Sequence, residues 1–217
     1  MTINNPDIIE CPACGDTQLR SSLGSGNTSG ALFFSDGQMI APMLPRYPWL
    51  IKCRKCAVYF KIDKKTVKGS ADYGDERPYV TFLSIEDTRK ALANGLFNAS
   101  KADSEEWENE MLDMRIELWW AFNMRLRGDS LHTENIWRSD EEKDAYTDNC
   151  RELLRMLAGY REDEDYLRRA EICRNIGAFD ECRLLLDKVS APEKYEKYIS
   201  DIRGAADAQN AVMFEIK

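Results

Sequence analysis

The stretch Cys11-Pro12-Ala13-Cys14-Gly15 and its counterpart Cys53-Arg54-Lys55-Cys56 decide the fold of the amino-terminal third of this chain. Two residues between cysteines allow both sulfurs and the intervening backbone amides to wrap around one ion, and Gly15 suits the left-handed turn that follows. Two such turns complete a tetrahedral set of four thiolates. The pattern therefore predicts that Cys11, Cys14, Cys53 and Cys56 bind one metal ion.

These two cysteine pairs, over roughly residues 8–65, resemble the zinc ribbon family. The chain departs from compact members of that family in the 38 residues between Cys14 and Cys53, which carry an extra hairpin. The resemblance implies a structural Zn²⁺, because a site closed by four thiolates holds no water to activate. A redox dithiol and a rubredoxin-like iron centre, which shares the CPxCG pattern, are the less favoured alternatives.

The pattern of the first 70 residues predicts short antiparallel strands. Asp36-Gly37 suits the left-handed backbone angles of a tight hairpin turn. Two further strands lead into and out of the second cysteine pair. The predicted strands cover residues 17–22, 31–35, 38–41, 49–52 and 57–62.

The composition is that of a folded globular protein, with 43% hydrophobic and 31% charged residues in a chain of 217. No apolar stretch in the sequence approaches the roughly 18 residues of a membrane-spanning helix, and the first residues lack the blocks of a secretory signal. We therefore expect a cytoplasmic protein without a membrane partner. Seven cysteines, four of them in Cys-x-x-Cys pairs, favour metal binding in a reducing compartment over disulfides.

Beyond residue 70 the sequence predicts helices, because apolar residues recur at intervals of three and four residues and the boundaries carry capping residues. Ser84, Ser104 and Ser139 suit helix starts, and Gly95, Gly128 and Gly159 suit the matching ends. Further helices are predicted at about 163–176, 180–189 and 192–203. The alternating Val212, Phe214 and Ile216 predict a last strand that joins the sheet of the first region.

The segment AEICRNIGAFDECRLLLDKV, residues 170–189, resembles one tetratricopeptide-like helix pair. Small Ala170 and Cys182 would let two antiparallel helices approach, Gly177 would form the turn and Phe179 would fill the wedge. An ordinary helical hairpin is the alternative, since no convincing second copy follows. The segment MRIELWWAFN, residues 114–123, is similar to part of uncharacterised bacterial proteins that join a zinc ribbon to a helical tail, a resemblance that implies no activity.

Charge separates the two regions. Residues 1–70 hold nine Lys and Arg against five Asp and Glu, a net charge of +4, and residues 71–217 hold 21 against 33, a net charge of −12. We therefore predict two domains, a zinc ribbon with an extra β-hairpin over 1–70 and an acidic helical domain over 71–217. The predicted fold class is α+β, with a small antiparallel β zinc ribbon followed by an α-helical bundle that contains one tetratricopeptide-like hairpin.

Common catalytic arrangements are hard to assemble from this sequence. The single histidine, His132, lies in a polar stretch, so a Ser-His-Asp or Cys-His arrangement would have to use it. The glycine-rich residues 24–30 lack the lysine of a phosphate-binding loop. We therefore predict no catalytic residue, with an active site of scattered carboxylates as the alternative.

The favoured functional hypothesis is protein binding through the acidic helical surface, either as a cognate inhibitor of a bacterial toxin (an immunity protein or antitoxin) or as an adaptor. A carboxylate-rich face would complement the basic cleft of such a partner. The candidate partner-binding residues are Trp119, Trp120, Glu162, Asp163, Glu164 and Asp165.

Nucleic-acid binding by the ribbon is the alternative, carried by Lys52, Arg54, Lys55 and Lys61 with aromatic residues between them. Two charges oppose it: a Cys₄ zinc site carries about −2, and the acidic region would repel phosphate. A rubredoxin-like electron carrier and an enzyme form a third, less favoured class.

Overall fold

Two β-hairpins carry the two cysteine pairs in the computed structural model, which describes residues 1–126 and 137–216. Strands β1 (Thr2–Glu10) and β2 (Thr17–Ser25) pair antiparallel with Glu10 opposite Thr17, which places the first cysteine pair in the turn. Strands β5 (Leu50–Lys52) and β6 (Tyr59–Lys61) pair with Lys52 opposite Tyr59, which places the second pair in an equivalent turn.

Four other short strands complete the described sheets. Strand β7 (Val67–Ser70) joins β1 in a three-stranded sheet of order β2-β1-β7. Strands β3 (Leu32–Phe34), β4 (Met39–Ile40) and β8 (Glu215–Ile216) form a second sheet of order β4-β3-β8. The predicted last strand is confirmed, because Ile216 pairs with Phe33. Strands β1 and β7 are absent from the sequence prediction.

Six α-helices lie between β7 and β8 in the described part of the chain. They are α1 (Ile85–Asn94), α2 (Glu105–Asn123), α3 (Asp140–Met156), α4 (Asp163–Asn175), α5 (Phe179–Leu186) and α6 (Glu196–Asp207). Short 3₁₀ turns follow α2 and α3 and precede α6, at Met124–Leu126, Leu157–Gly159 and Pro192–Tyr195. The α+β class, with small antiparallel sheets first and helices after them, is thereby confirmed.

Side-chain caps begin the helices largely where the sequence predicts. Ser84 Oγ accepts the Asp87 N–H at 3.0 Å, and Gly95 ends α1 with φ of 76°. Ser139 Oγ accepts the Glu142 N–H at 3.3 Å, whereas the Glu142 carboxylate accepts the N–H of Arg138 instead of completing a reciprocal capping box. The predicted end of α2 at Gly128 lies outside the described residues.

Contacts divide the described residues into two units. The first unit contains residues 1–31 and 40–114, and the second contains residues 32–39 and the described residues from 115 onward. This division along the chain differs from the predicted domains 1–70 and 71–217, which remain a prediction. The chain therefore leaves the first unit at residue 32 and returns to it at residue 40.

Each unit has its own apolar core. In the first unit, Ile9, Ile51 and Phe60 surround the buried side chains of Cys11 and Cys53. In the second unit, α4 and α5 pack through residues that include Ala170, Cys173 and Cys182, and Gly177 makes the turn between the two helices with φ of 79°. No helix within residues 1–126 or 137–216 combines the length and the apolar character that crossing a bilayer requires.

Candidate metal centre

The four predicted metal ligands converge. The sulfur atoms of Cys11, Cys14, Cys53 and Cys56 all lie within 4.8 Å of one another. Cys11 Sγ lies 3.7 Å from Cys56 Sγ, and Cys14 Sγ lies 3.6 Å from Cys53 Sγ. The two hairpin turns, 39 residues apart along the chain from Cys14 to Cys53, therefore meet at one point.

The spacing of the sulfurs fits a tetrahedral thiolate site. With a Zn–S bond of about 2.3 Å, neighbouring sulfurs in a regular tetrahedron lie about 3.8 Å apart. The two cross-hairpin distances of 3.7 and 3.6 Å agree with that value. The donor set of four sulfurs suits Zn²⁺ or iron and suits hard cations such as Mg²⁺ poorly. The chain can thus bind a metal ion here in the manner of a zinc ribbon.

The backbone holds both turns in the same conformation. The Gly15 N–H donates to the Cys11 carbonyl at 2.9 Å, and the Ala57 N–H donates to the Cys53 carbonyl at 3.0 Å. Both residues have positive φ, 72° at Gly15 and 61° at Ala57. This conformation turns the chain back on itself after the second cysteine of each pair. The predicted left-handed turn at Gly15 is confirmed.

Local surroundings divide the cysteines into two kinds. Cys11 and Cys53 are buried, and Cys14 and Cys56 are exposed. Burial raises the pKa of the Cys11 thiol to about 12, and a hydrogen bond from the backbone N–H of Val58 lowers the pKa of the Cys56 thiol to about 7. A cation among the four sulfurs favours the thiolate form of each, so metal binding releases protons.

Two lysines of the second hairpin attach it through ion pairs to helices of the first unit. Lys52 Nζ donates to Asp87 of α1 at 2.9 Å, and the Tyr59 hydroxyl donates to the same carboxylate at 2.8 Å. Lys61 Nζ donates to Glu106 of α2 at 3.1 Å and also contacts Glu110. The hairpin that carries Cys53 and Cys56 is therefore anchored by its own lysines.

This anchoring changes the interpretation of the candidate nucleic-acid residues. The Lys61 side chain is only 16% exposed, and Lys52 already has a carboxylate partner. Arg54 and Lys55, which lie in the turn itself, are exposed. Two of the four predicted phosphate contacts are thus engaged within the protein. Sequence reasoning missed their partners Asp87 and Glu110, because nothing in the sequence pairs residues 35 and 49 positions apart.

The two adjacent tryptophans lie in different surroundings. Trp119 has no exposed surface, and its Nε1 donates to Asn175 Oδ1 at 3.0 Å. Trp120 is half-buried, and its Nε1 donates to the Asp36 carbonyl at 3.0 Å. The burial of Trp119 corrects its assignment as a partner-binding residue, because a side chain without surface cannot touch a partner. Trp120 remains a candidate.

Most carboxylates of the acidic run at the start of α4 accept hydrogen bonds or form ion pairs within the second unit. Asp163 accepts the N–H groups of Ser190 and Ala191 at 2.7 and 3.0 Å, and the Asp165 carboxylate accepts the Glu162 N–H at 3.2 Å. Glu164 pairs with Lys194 at 3.2 Å. Asp165 is 8% exposed, whereas Glu162 and Glu164 are exposed. Glu162 and Glu164 are therefore the most exposed carboxylates of this run, although Glu164 already has a lysine partner.

Three cysteines of the second unit are not members of the sulfur cluster. Cys150, Cys173 and Cys182 are buried, which confirms the prediction that they are core residues, and burial raises the pKa of each thiol. His132 lies outside the described residues. Searches of protein-family models, curated proteins and solved structures found no match to this chain.

Proposed function

We propose that this chain is a non-catalytic zinc-binding protein in which a Cys₄ site stabilises the amino-terminal hairpins and an acidic surface binds a protein partner. The convergence of four sulfurs within 4.8 Å carries the metal part of the proposal. A metal held by four thiolates has no open position for substrate or water, so the ion acts structurally. The protein then acts by binding to, and covering, a surface of its partner protein.

Zinc is the favoured ion because the hairpins depend on it for stability. Within residues 1–126 and 137–216, the apolar core around Cys11 and Cys53 contains three other fully buried side chains, those of Ile9, Ile51 and Phe60. A core of that size stabilises a domain weakly. Structural Zn²⁺ contributes roughly 10 to 16 kcal/mol of apparent binding free energy to small modules of this kind. Iron in a rubredoxin-like site is the alternative, and it would colour the protein.

A protein partner is favoured over nucleic acid because the cations of the ribbon are partly neutralised. Lys52 and Lys61 pair with carboxylates of α1 and α2, and Lys68 pairs with Glu10 at 3.1 Å. The whole chain carries a net charge of −8, which opposes phosphate binding. The same charge favours encounter with a basic protein surface.

The sharpest form of the proposal is a cognate inhibitor, such as an immunity protein or antitoxin that covers the basic active-site cleft of a bacterial toxin. Exposed carboxylates would meet the cationic groups with which such a toxin holds its nucleic acid or nucleotide. An adaptor that joins two proteins through the same acidic surface is the other form.

Elemental analysis of the purified protein tests the metal part. We expect one zinc per chain, no iron, and a colourless solution. A metal-free protein whose hairpins remain folded would contradict the proposal, because the sulfur cluster would then have another role.

Two binding measurements test the partner class. We expect no retention on heparin at physiological salt, and we expect the protein encoded by the neighbouring gene to form a defined complex whose affinity falls as salt increases. The opposite result would be DNA or RNA binding that depends steeply on salt and is lost in the double variant Arg54→Ala/Lys55→Ala. That result would support nucleic-acid binding by the ribbon. A double variant of other exposed cations, Lys64→Ala/Lys65→Ala, is the control for charge alone.

A further inference from the structure

Each cysteine pair combines one protected and one accessible sulfur. Cys11 and Cys53 are both only 1% exposed, while Cys14 and Cys56 are exposed. A dissolved oxidant can therefore approach one cysteine of each pair without any opening of the hairpins. The three cysteines outside the site, Cys150, Cys173 and Cys182, are all buried.

The accessible sulfur of each pair touches the protected sulfur of the other pair. Cys56 Sγ lies 3.7 Å from Cys11 Sγ, and Cys14 Sγ lies 3.6 Å from Cys53 Sγ. A disulfide bond is about 2.05 Å long, so each contact has to shorten by about 1.6 Å to form one. Both contacts join one hairpin to the other. Oxidation across them would therefore replace the bridging ion by covalent links.

We propose that hydrogen peroxide, or another two-electron oxidant, releases the metal from this site and converts it into two cross-hairpin disulfides, Cys11–Cys56 and Cys14–Cys53. The inference rests on the proposed function, because it requires a bound metal ion. It also differs from the reading of each Cys-x-x-Cys pair as a separate redox dithiol, in which each disulfide would stay within one turn.

The chemistry balances with peroxide as the oxidant. An exposed thiolate attacks one peroxide oxygen, the O–O bond breaks, and after uptake of protons the products are a sulfenic acid and water. The neighbouring buried thiolate then attacks the sulfenic sulfur, the S–S bond forms and a second water leaves. Over both disulfides four thiolates lose four electrons, two peroxide molecules accept them, and four protons and two peroxides give four waters. Zn²⁺ leaves with its charge unchanged, because it takes no part in the electron transfer.

Cross-hairpin links and links within one turn have different structural consequences. Disulfides within each pair would leave the two hairpins joined to one another by neither an ion nor a bond at this point. Disulfides between the pairs would keep the turn at residues 11–14 attached to the turn at residues 53–56. The oxidised protein would then retain the arrangement of its hairpins after it has lost the metal.

The test uses the full-length, zinc-loaded protein. Hydrogen peroxide is added in increasing molar ratio, released zinc is followed with a chromogenic chelator, and the products are digested without reduction and mapped by mass spectrometry. We expect one zinc released per chain, a mass loss of about 4 Da for two disulfides, and linkages Cys11–Cys56 and Cys14–Cys53. Treatment with dithiothreitol and zinc should restore the starting protein.

Controls separate this inference from the proposed function. A protein without zinc before treatment would contradict the proposed function itself. A zinc-loaded protein that keeps its metal while peroxide oxidises other residues, or that forms only linkages within each pair, would overturn the inference and leave the structural zinc intact. Removal of zinc by a chelator without peroxide should give no disulfides, and Cys150, Cys173 and Cys182 should remain reduced in the mapped products.

Discussion

Ala57 occupies in the second hairpin turn the position that Gly15 occupies in the first. Each follows the last cysteine of its pair, each donates its N–H to the carbonyl of the first cysteine, and each has positive φ, 61° and 72° respectively. Glycine adopts this conformation without cost, whereas an alanine side chain there is strained. The two halves of the sulfur cluster are therefore equivalent in geometry and unequal in strain.

The variant Ala57→Gly should stabilise the metal site. Relief of the left-handed strain is worth roughly 1 to 2 kcal/mol, and the added flexibility of glycine in the unfolded chain offsets part of it, so we expect a gain of about 0.5 to 1 kcal/mol. The matched variant Gly15→Ala should destabilise, since no atom lies within 4 Å of the added Cβ and only backbone strain changes. Thermal unfolding of both zinc-loaded variants measures this. Equal melting temperatures for all three proteins would contradict the assigned conformations.

Replacement of one ligand, Cys53→Ser, should abolish stoichiometric zinc binding and unfold the hairpins. Three thiolates hold the ion poorly, and the hydroxyl would be buried at a position that is 1% exposed. Elemental analysis and far-ultraviolet circular dichroism measure the two effects. Cys150→Ala is the control, because Cys150 is equally buried in the second unit and is not part of the cluster. It should keep its zinc and lose roughly 1 kcal/mol of stability.

The variant Arg174→Met should strongly destabilise the second unit. Arg174 and Glu171 form an ion pair in which neither side chain is exposed, with Nε donating to Oε2 at 2.8 Å, and Arg174 also donates to the Val212 carbonyl at 3.0 Å. Removing one partner leaves a buried charge unpaired, which costs about 3 to 5 kcal/mol. Urea denaturation measures the change in the free energy of unfolding.

Two further variants check the origin of that cost. Arg151→Ala removes an ion pair with Asp148 in which both side chains are more than two-thirds exposed, at 69% and 75%. It should change stability by less than about 1 kcal/mol. The double variant Arg174→Met/Glu171→Leu should recover part of the loss, because no unpaired charge remains. A double variant as unstable as Arg174→Met would point to the lost backbone contacts instead.

The ion pair between Arg125 and Glu142 should make stability depend on acidity. Arg125 holds the pKa of the Glu142 carboxyl at about 2, below its ordinary value of 4.5. The lowered pKa means that this pair stabilises the folded state above about pH 4.5 and that the contribution is lost as the pH falls from 4.5 toward 2. The difference in unfolding free energy between the protein and Glu142→Gln should therefore be largest near neutrality and shrink with acid. A difference that stays constant from pH 6 to pH 3 would contradict this.

Structural features that depend on residues close together in the sequence could be predicted from it. The two cysteine pairs, the turn at Gly15 and the cap at Ser84 each depend on residues within four positions of one another. The chemistry of such a motif is complete within its own stretch. The same is true of the Gly177 turn between α4 and α5, whose φ is 79°.

Features set by distant or irregular pairing could not be predicted in this way. Strand β1 was not predicted from the sequence. Its register with β2 shifts between Thr2 and Ile3 and again between Asn4 and Asp7, and these shifts break the alternation of apolar and polar residues that identifies a strand. The anchoring of Lys61 by Glu110 joins residues 49 positions apart. The burial of Trp119 beside a half-buried Trp120 depends on Asn175 and Asp36, which lie far away in the sequence.

The interleaving of the two units along the chain has a consequence during synthesis on the ribosome. Strand β3 leaves the ribosome early, yet its partner β8 follows more than 180 residues later, since Phe33 pairs with Ile216. The two hairpins that carry the cysteines are complete and can bind zinc once residue 61 has emerged. Residues 32–39, in contrast, must wait until nearly all of the chain has been translated. Metal capture would thus precede completion of the helical unit. A nascent chain stalled in between would expose Phe34, which is only 7% exposed in the folded chain, to aggregation or chaperones.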